Sequence, residues 1–245
     1  MDAIIFFIGL AVGSAVNAMV SRFDSLQSFV KGRSRCDHCG KTLTAYELIP
    51  VVSYLVQSGR CRRCRKPINP RYLLVELFSG LVFVALYHGS HPAQFVMSAA
   101  FFTVLLIASL IDIDTLTIPD SLLGIAAILA IINRLIVLPT SSMTVLYGVL
   151  FGVAIPALLF IPTRGKAMGF GDLKLGGVLG LWLGFPAVAI ALWAAFCVGG
   201  LISLVLLITK RKRFGDEIAF GPYLVMGALI AEHYATKLIA YVTFS

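Results

Sequence analysis

The chain has 245 residues, 59% of them hydrophobic and only 13% charged, with a mean hydropathy of +0.93. A soluble domain of this size could not bury so much apolar surface, so the composition excludes a water-soluble globular protein and indicates an integral membrane protein. Net charge is +8, and the 20 Lys and Arg residues are placed so unevenly that they report topology before anything else.

Apolar runs occupy residues 3–20, 73–88, 94–111, 121–138, 144–162, 173–185, 187–209 and 218–240. Most reach the roughly 17–25 residues that a helix needs to cross hydrocarbon. The expected fold is an all-α integral membrane protein, a polytopic bundle of about eight transmembrane helices with a cytoplasmic zinc-knuckle loop. The run 173–185 is short and carries Gly176, Gly177, Gly180 and Gly184. On periodicity alone it is either a re-entrant segment or a tightly packed helix, which leaves eight or seven crossings. The first run has no basic residue before it and no small-residue cleavage site, and is not read as a removable signal peptide. The expected division is a first transmembrane helix (1–20), a polar loop (21–72) and a polytopic core (73–245).

Of the 20 basic residues, 11 lie between Arg22 and Arg71, three are Arg164, Lys166 and Lys174, and four form the cluster Lys210 to Arg213. The positive-inside rule then places residues 21–72 in the cytoplasm and both termini outside. With eight crossings, every basic loop falls on the cytoplasmic face, and so do Asp112 and Asp172. Topology and attraction to anionic lipid account for the basic excess. No aromatic-interleaved nucleic-acid module is visible, so no nucleic-acid partner is expected.

The polar loop carries Cys36 and Cys39, then Cys61 and Cys64, two CxxC pairs separated by 21 residues. Four soft thiolates at the ends of two tight turns suit a tetrahedral Zn²⁺ site, and a disulfide framework is not expected in a reducing cytoplasm. So small a loop could hardly form a core without such a staple. Arg60, Arg62, Arg63, Arg65 and Lys66 would offset the charge of a four-thiolate centre. His38 reads as a solvent-facing spacer, and Cys197, in an apolar helix, as packing.

Two isolated aspartates each stand at the end of an apolar run. Asp112 lies in LIDIDTLTIPD, Leu110 to Asp120, where Pro119 should end the helix and Asp120 stands as an N-cap by position. Asp112 and Asp114 are two apart, so on a helix only one of them can face a given partner. The motif alone leaves open whether they cap a turn or do chemistry. Asp172 lies in MGFGDLK, Met168 to Lys174, where Gly169 and Gly171 let the chain fold tightly and present the carboxylate at a helix start. Lys174 should point away from Asp172 and reads as an interface or phosphate anchor. Read as one pair, Asp112 and Asp172 would resist double ionisation. One charged and one protonated carboxylate is what acid-base hydrolysis of an amide requires.

These residues resemble the type IV prepilin leader peptidases, GxGD-type intramembrane aspartyl proteases that are often N-methyltransferases as well. The resemblance spans nearly the whole chain: GSAVN at Gly13 to Asn17 followed by Arg22, both CxxC pairs, YELIPV at Tyr46 to Val51, SYL at Ser53 to Leu55, GRCR at Gly59 to Arg62, Arg71 and Tyr72, LVEL at Leu74 to Leu77, the two aspartate motifs, and FGPYL at Phe220 to Leu224. It implies that Asp112 and Asp172 are the catalytic aspartates. It implies cleavage of a basic leader from prepilins or pseudopilins, after a Gly, at the cytoplasmic face of the bacterial inner membrane. It also implies methyl transfer from S-adenosylmethionine to the new amino terminus, an activity that accompanies the long tetracysteine loop. Two segments depart from the family pattern: Leu26 to Arg35 lacks prolines, and Ala45, Tyr46 and Glu47 replace a Trp-Tyr-Asp-like stretch. Glu76, one turn into an apolar run, is either a helix-start charge or part of a cofactor pocket.

Three other readings compete. A peptidase without methylation would keep the aspartates alone. A metal or proton transporter would also carry intramembrane acids, although near the midplane and not at one face. A thiol-disulfide enzyme would cycle its CxxC thiols and bind no metal.

Overall fold

The computed structural model describes residues 1–23, 34–36, 38–88, 90–165, 168–213 and 216–244, with 235–244 by backbone alone. Most of the proline-poor stretch before the first CxxC therefore lies outside the described residues. The described chain is all-helical, with only two isolated β-bridges, Arg35 to Thr42 and Arg60 to Pro67. It divides into two compact units, Met1–Pro92 and Ala93–Ser245.

The first unit holds α1 (Asp2–Phe23), a 3₁₀ turn (Ala45–Leu48), α2 (Val52–Val56) and α3 (Pro70–Tyr87). Asn69 starts α3 by accepting the Arg71 N–H on its side chain, with Pro70 where a missing N–H costs nothing. Small residues let α1 and α3 meet closely. A Cβ on Gly9 would lie 2.8 Å from the Gly80 Cα, and one on Gly13 would lie 2.9 Å from the Glu76 Cα. Small residues four apart are a common seam between membrane helices, since the gain there comes from close packing and not from expelled water. Buried Asn17 extends the seam by donating to the Tyr72 carbonyl at 3.0 Å.

The second unit holds α4 (Pro92–Thr115), α5 (Asp120–Ile132) continuing into a π-turn (Asn133–Val137), α6 (Ser142–Thr163), α7 (Phe170–Leu183), α8 (Ala187–Ile208) and α9 (Gly221–Phe244). Six helices among the described residues are long and apolar enough to cross a membrane: α1, α3, α4, α5 with its π-turn, α6 and α8. Exposed Leu158, Ile161, Trp193 and Ile208 have no place in water, and the protein is a multi-pass membrane protein.

The Gly-rich run that allowed two readings forms a packed helix, α7, whose 14 residues make it about 21 Å long. It touches α5, α6, α8 and α9. Gly148 and Gly152 of α6 face Gly180 and Gly176 of α7 so closely that a methyl group on any of them would strike the opposite backbone. Pro156 removes the N–H that would otherwise bond the Gly152 carbonyl, and that carbonyl faces Gly176. The C-terminal carbonyls of Leu181 and Trp182 are capped by the Arg134 guanidinium, which reaches in from the π-turn.

Candidate active site and metal centre

Helix α4 stops where its sequence stops it. Leu116 takes the left-handed conformation (φ 55°) and donates its N–H to the Asp112 carbonyl at 2.8 Å, and Pro119 follows. Asp112 sits four residues before this stop and is 4% exposed, while Asp114 is exposed. The helical two-residue offset thus turns one carboxylate inward and the other outward.

Asp172 is the third residue of α7 and 6% exposed. Its Oδ2 accepts the Gly169 N–H at 3.1 Å, and its own N–H donates to the Gly169 carbonyl at 3.2 Å. The carboxylate therefore completes the start of its helix while standing at the helix's positive end. Asp112 and Asp172 are close enough to interact electrostatically.

Two residues outside the aspartate motifs build this corner. Gly221, the first residue of α9, donates its N–H to Asp112 Oδ2 at 3.0 Å. A Cβ there would lie 2.7 Å from that oxygen, so a side chain at this position would push the carboxylate aside. Ile118 fills the space beside both motifs: its side chain would meet a Cβ on Gly171 at 3.2 Å and one on Gly221 at 3.3 Å. The glycine of FGPYL was visible in the sequence, but its partner was not. Phe220 anchors the same motif on α8, packing against Phe196 at 5.1 Å over Gly199.

Two expectations are corrected here. Asp120 is the first residue of α5 and Pro119 holds the N-cap position. Asp120 instead accepts a hydrogen bond from Lys174 Nζ at 2.7 Å, so Lys174 ties α7 to α5. The ammonium also lies 4.8 Å from the centre of the Phe170 ring. Cys197 is exposed, because a helix apolar on all sides can turn a thiol toward lipid without cost.

In the first unit the two CxxC turns are built alike. The Cys36 N–H bonds the Lys41 carbonyl and the Gly40 N–H bonds the Cys36 carbonyl, both at 2.9 Å. Cys61 with Lys66, at 3.0 Å, and Arg65 with Cys61, at 2.9 Å, repeat the pattern. The residue after each second cysteine, Gly40 or Arg65, has positive φ. The sulfurs of Cys36, Cys39, Cys61 and Cys64 all lie within 4.8 Å of one another, and those of Cys36 and Cys64 are 3.9 Å apart. Four sulfurs around zinc at about 2.3 Å would stand about 3.8 Å apart, so the donor set fits the ion. The Cys64 and Arg63 N–H groups pull the Cys61 thiol below its usual range. The Lys66 N–H pulls on Cys64 in the same sense, but burial and the three neighbouring thiols outweigh it and push Cys64 up. His38 is exposed and outside the sulfur cluster.

Glu47 supports the first knuckle. It accepts the Thr44 N–H at 2.9 Å, the Thr44 hydroxyl at 3.0 Å and Lys41 Nζ at 2.8 Å. The Lys41 hydrogen bond, then that of the Thr44 N–H, hold its carboxyl down at about 2. The sequence analysis gave this residue no structural role, although Thr44 and Glu47 have the spacing of a capping box.

A cavity of about 450 Å³ opens beside this centre, lined by residues of α1 and α3, both knuckles and the segment between them. Glu76 is in its wall, 9% exposed, with Oε2 accepting the Val51 N–H at 2.8 Å.

Residues 7–89 match the bacterial peptidase A24 N-terminal domain and residues 99–204 the type IV leader peptidase family. The chain is 34% identical to a prepilin leader peptidase/N-methyltransferase of Burkholderia pseudomallei (strain 1026b), over 94% of this chain and 84% of that protein. A protein of the same name from strain K96243 is 37% identical over 83% of this chain and 68% of its own length. One from Bacillus subtilis (strain 168) is 29% identical over 98% and 97%. No solved structure matches. With its paired acids, its four gathered thiols and relatives of one name along most of its length, the chain belongs to the type IV leader peptidase family.

Proposed function

We propose that this protein is a bifunctional prepilin peptidase of the bacterial inner membrane. It removes the basic leader of a prepilin or pseudopilin after a Gly, then methylates the new amino terminus with S-adenosylmethionine. The observation that carries the peptidase reading is the pairing of buried Asp112 and Asp172 at the end of α4 and the start of α7. The name shared by the relatives supports both activities.

In the hydrolytic step one carboxylate takes a proton from a water whose oxygen bonds the scissile carbonyl carbon, and the other gives a proton to the carbonyl oxygen. The C–N bond then breaks as a proton passes to the leaving amine. The Gly221 N–H orients Asp112 and the Gly169 N–H orients Asp172. A substrate whose apolar helix remains in the bilayer would present its scissile bond at a fixed depth, so the membrane itself would do part of the positioning.

The four thiolates would hold a structural Zn²⁺, which would cross-link a loop that has little core of its own. The basic residues of that loop suit a cytoplasmic, anionic lipid surface, with both termini on the opposite side. Incubation of the purified protein with a prepilin, followed by mass spectrometry, tests the function. Leader loss plus a mass increase of one methyl group is expected, and full cleavage by Asp112→Asn or Asp172→Asn would reject the aspartate assignment.

A further inference from the structure

Ser98, Phe101, Leu105, Ser109 and Asp112 follow one another along α4 at spacings of three or four residues, so they form one stripe of the helix, and all five are buried. The stripe faces α7 and α9. The Ser98 hydroxyl reaches Glu232 of α9, and the Phe101 ring stacks on Trp182 of α7. Asp112 accepts the Gly221 N–H of α9 and interacts with Asp172 of α7. Ser109 therefore lies on the face that carries the acids, one turn further into the apolar span than Asp112.

Ser109 is 6% exposed, and its buried hydroxyl has no hydrogen-bond partner among the described residues. Thr103 and Thr115 of the same helix behave otherwise, as do Thr163 and Thr209: each donates to the carbonyl four residues back. A buried hydroxyl left unpaired lowers stability, so its presence beside an active site calls for a partner that arrives later. The substrate has the matching need. Its apolar helix begins just beyond the scissile bond, and the first N–H groups of a helix have no acceptor within it. In hydrocarbon such a group must find one elsewhere. Three residues of helix set Ser109 about 4.5 Å along the axis from Asp112. One residue of extended chain covers about 3.3 Å, so a backbone whose scissile bond lies at the acids passes Ser109 with its next amide. Among the described residues no neighbouring helix runs its backbone close along α4, in contrast to the α6–α7 seam, so side-chain movement is enough to open this face.

We propose that Ser109 is a substrate-binding residue: its hydroxyl oxygen accepts the backbone N–H of the second residue on the membrane side of the scissile bond, and so sets that bond level with Asp112 and Asp172. The inference rests on the peptidase reading above and adds to it the contact that fixes the register of the bound chain. A backbone N–H is common to every residue except proline, so the contact reads depth and not side-chain identity.

A synthetic prepilin peptide, comprising the leader and the start of the apolar helix, tests this with the full-length protein in nanodiscs. It is compared with a second peptide in which an ester replaces the amide that carries this N–H. The wild type is expected to cleave the ester peptide with a kcat/KM about tenfold lower. Ser109→Ala should cleave the all-amide peptide about tenfold more slowly than the wild type and lose little more on the ester, because the contact is already gone. Ser109→Cys, of similar size but a poor acceptor, should follow the alanine variant. Both variants should melt no lower than the wild type, since neither removes a bond made in the free protein. If the ester penalty were the same in the wild type and both variants, or if Ser109→Ala cleaved at the wild-type rate, the hydroxyl would not hold this N–H, and the proposal would fall while the peptidase reading stands. A lowered melting temperature in Ser109→Ala with an undiminished ester penalty would assign the hydroxyl to the fold instead. If the wild type left the all-amide peptide uncut, the peptidase reading itself would fall and take the contact with it.

Discussion

Gly221 donates its backbone N–H to Oδ2 of Asp112 at 3.0 Å, joining two residues 109 positions apart. The contact makes the start of α9 part of the candidate active site and explains the glycine. Gly221→Ala would place a methyl carbon 2.7 Å from the carboxylate oxygen, forcing Asp112 to turn away. Leader cleavage is expected to fall at least tenfold with the melting temperature little changed. A wild-type rate in the alanine variant would show that the hydrogen bond does not position the acid.

The paired acids should behave as a unit. Asp112→Asn and Asp172→Asn are each expected to cost roughly 10²–10⁴-fold in cleavage rate. The double variant should lose little more than the worse single one, because either loss already removes the proton relay. Asp114→Asn, on the outward side of α4, should cleave close to the wild-type rate. Rates that multiplied in the double variant would mean the two groups act separately.

Much of this site was legible in the sequence because it depends on local rules. Pro119 marked the end of α4, the two-residue offset separated Asp112 from Asp114, and Gly169 with Gly171 marked a tight entry to α7. The CxxC spacing pointed to four gathered thiols. What was missed depends on distant partners. By local rules Asp120 is a cap, but Lys174, 54 positions away, takes its carboxylate. Nothing near Gly221 in sequence points to Asp112. Cys197 shows a different limit, since a helix apolar on every side has no pattern from which to tell an inner from an outer face.

Metal removal separates the two units. Purified protein should carry about one zinc per chain, lost in Cys61→Ser and on prolonged chelation. Because the four thiols join the two CxxC turns, metal loss should open the loop to protease, while Asp112 and Asp172 belong to the other compact unit. A chelated loop as resistant to protease as the metal-loaded one would show that the ion does not hold the two turns together.

Glu47 ties the first knuckle to pH. Its carboxyl is held at about 2 against an ordinary 4.5, so the folded loop prefers the ionised form. A depressed acid contributes stability that is present above its unfolded value and is lost as pH falls through the folded one. Protease protection of the loop in wild type should therefore exceed that of Glu47→Gln above about pH 4.5. The difference should shrink toward pH 2. A gap that stayed constant across that range would mean the glutamine variant fails for steric reasons.

At the ends of α4 and α7 away from the two aspartates, and midway along α9, a second polar cluster holds the same three helices together. Trp182 Nε1 donates to Glu232 Oε2 at 2.8 Å and the Ser98 hydroxyl to Oε1 at 2.9 Å. Gln94 donates to Oε1 more weakly at 3.4 Å. The buried Trp182 ring also stacks on Phe101, with centroids 4.0 Å apart. One carboxylate thus satisfies donors from α4 and α7, and fixes the distance between helices whose far ends carry Asp112 and Asp172. Replacing it with alanine leaves buried donors without acceptors, at roughly 1–3 kcal/mol each, although membrane helices recover part of that by finding other partners. Glu232→Ala should therefore lower thermal stability clearly. It should also reduce kcat more than it raises KM, because it loosens the spacing of the acids and leaves the membrane-held substrate where it was. Glu232→Gln, which keeps one acceptor oxygen, should recover most of the stability. If Glu232→Ala lost stability with kcat intact, the cluster would be a fastening of the bundle with no bearing on how the acids are held.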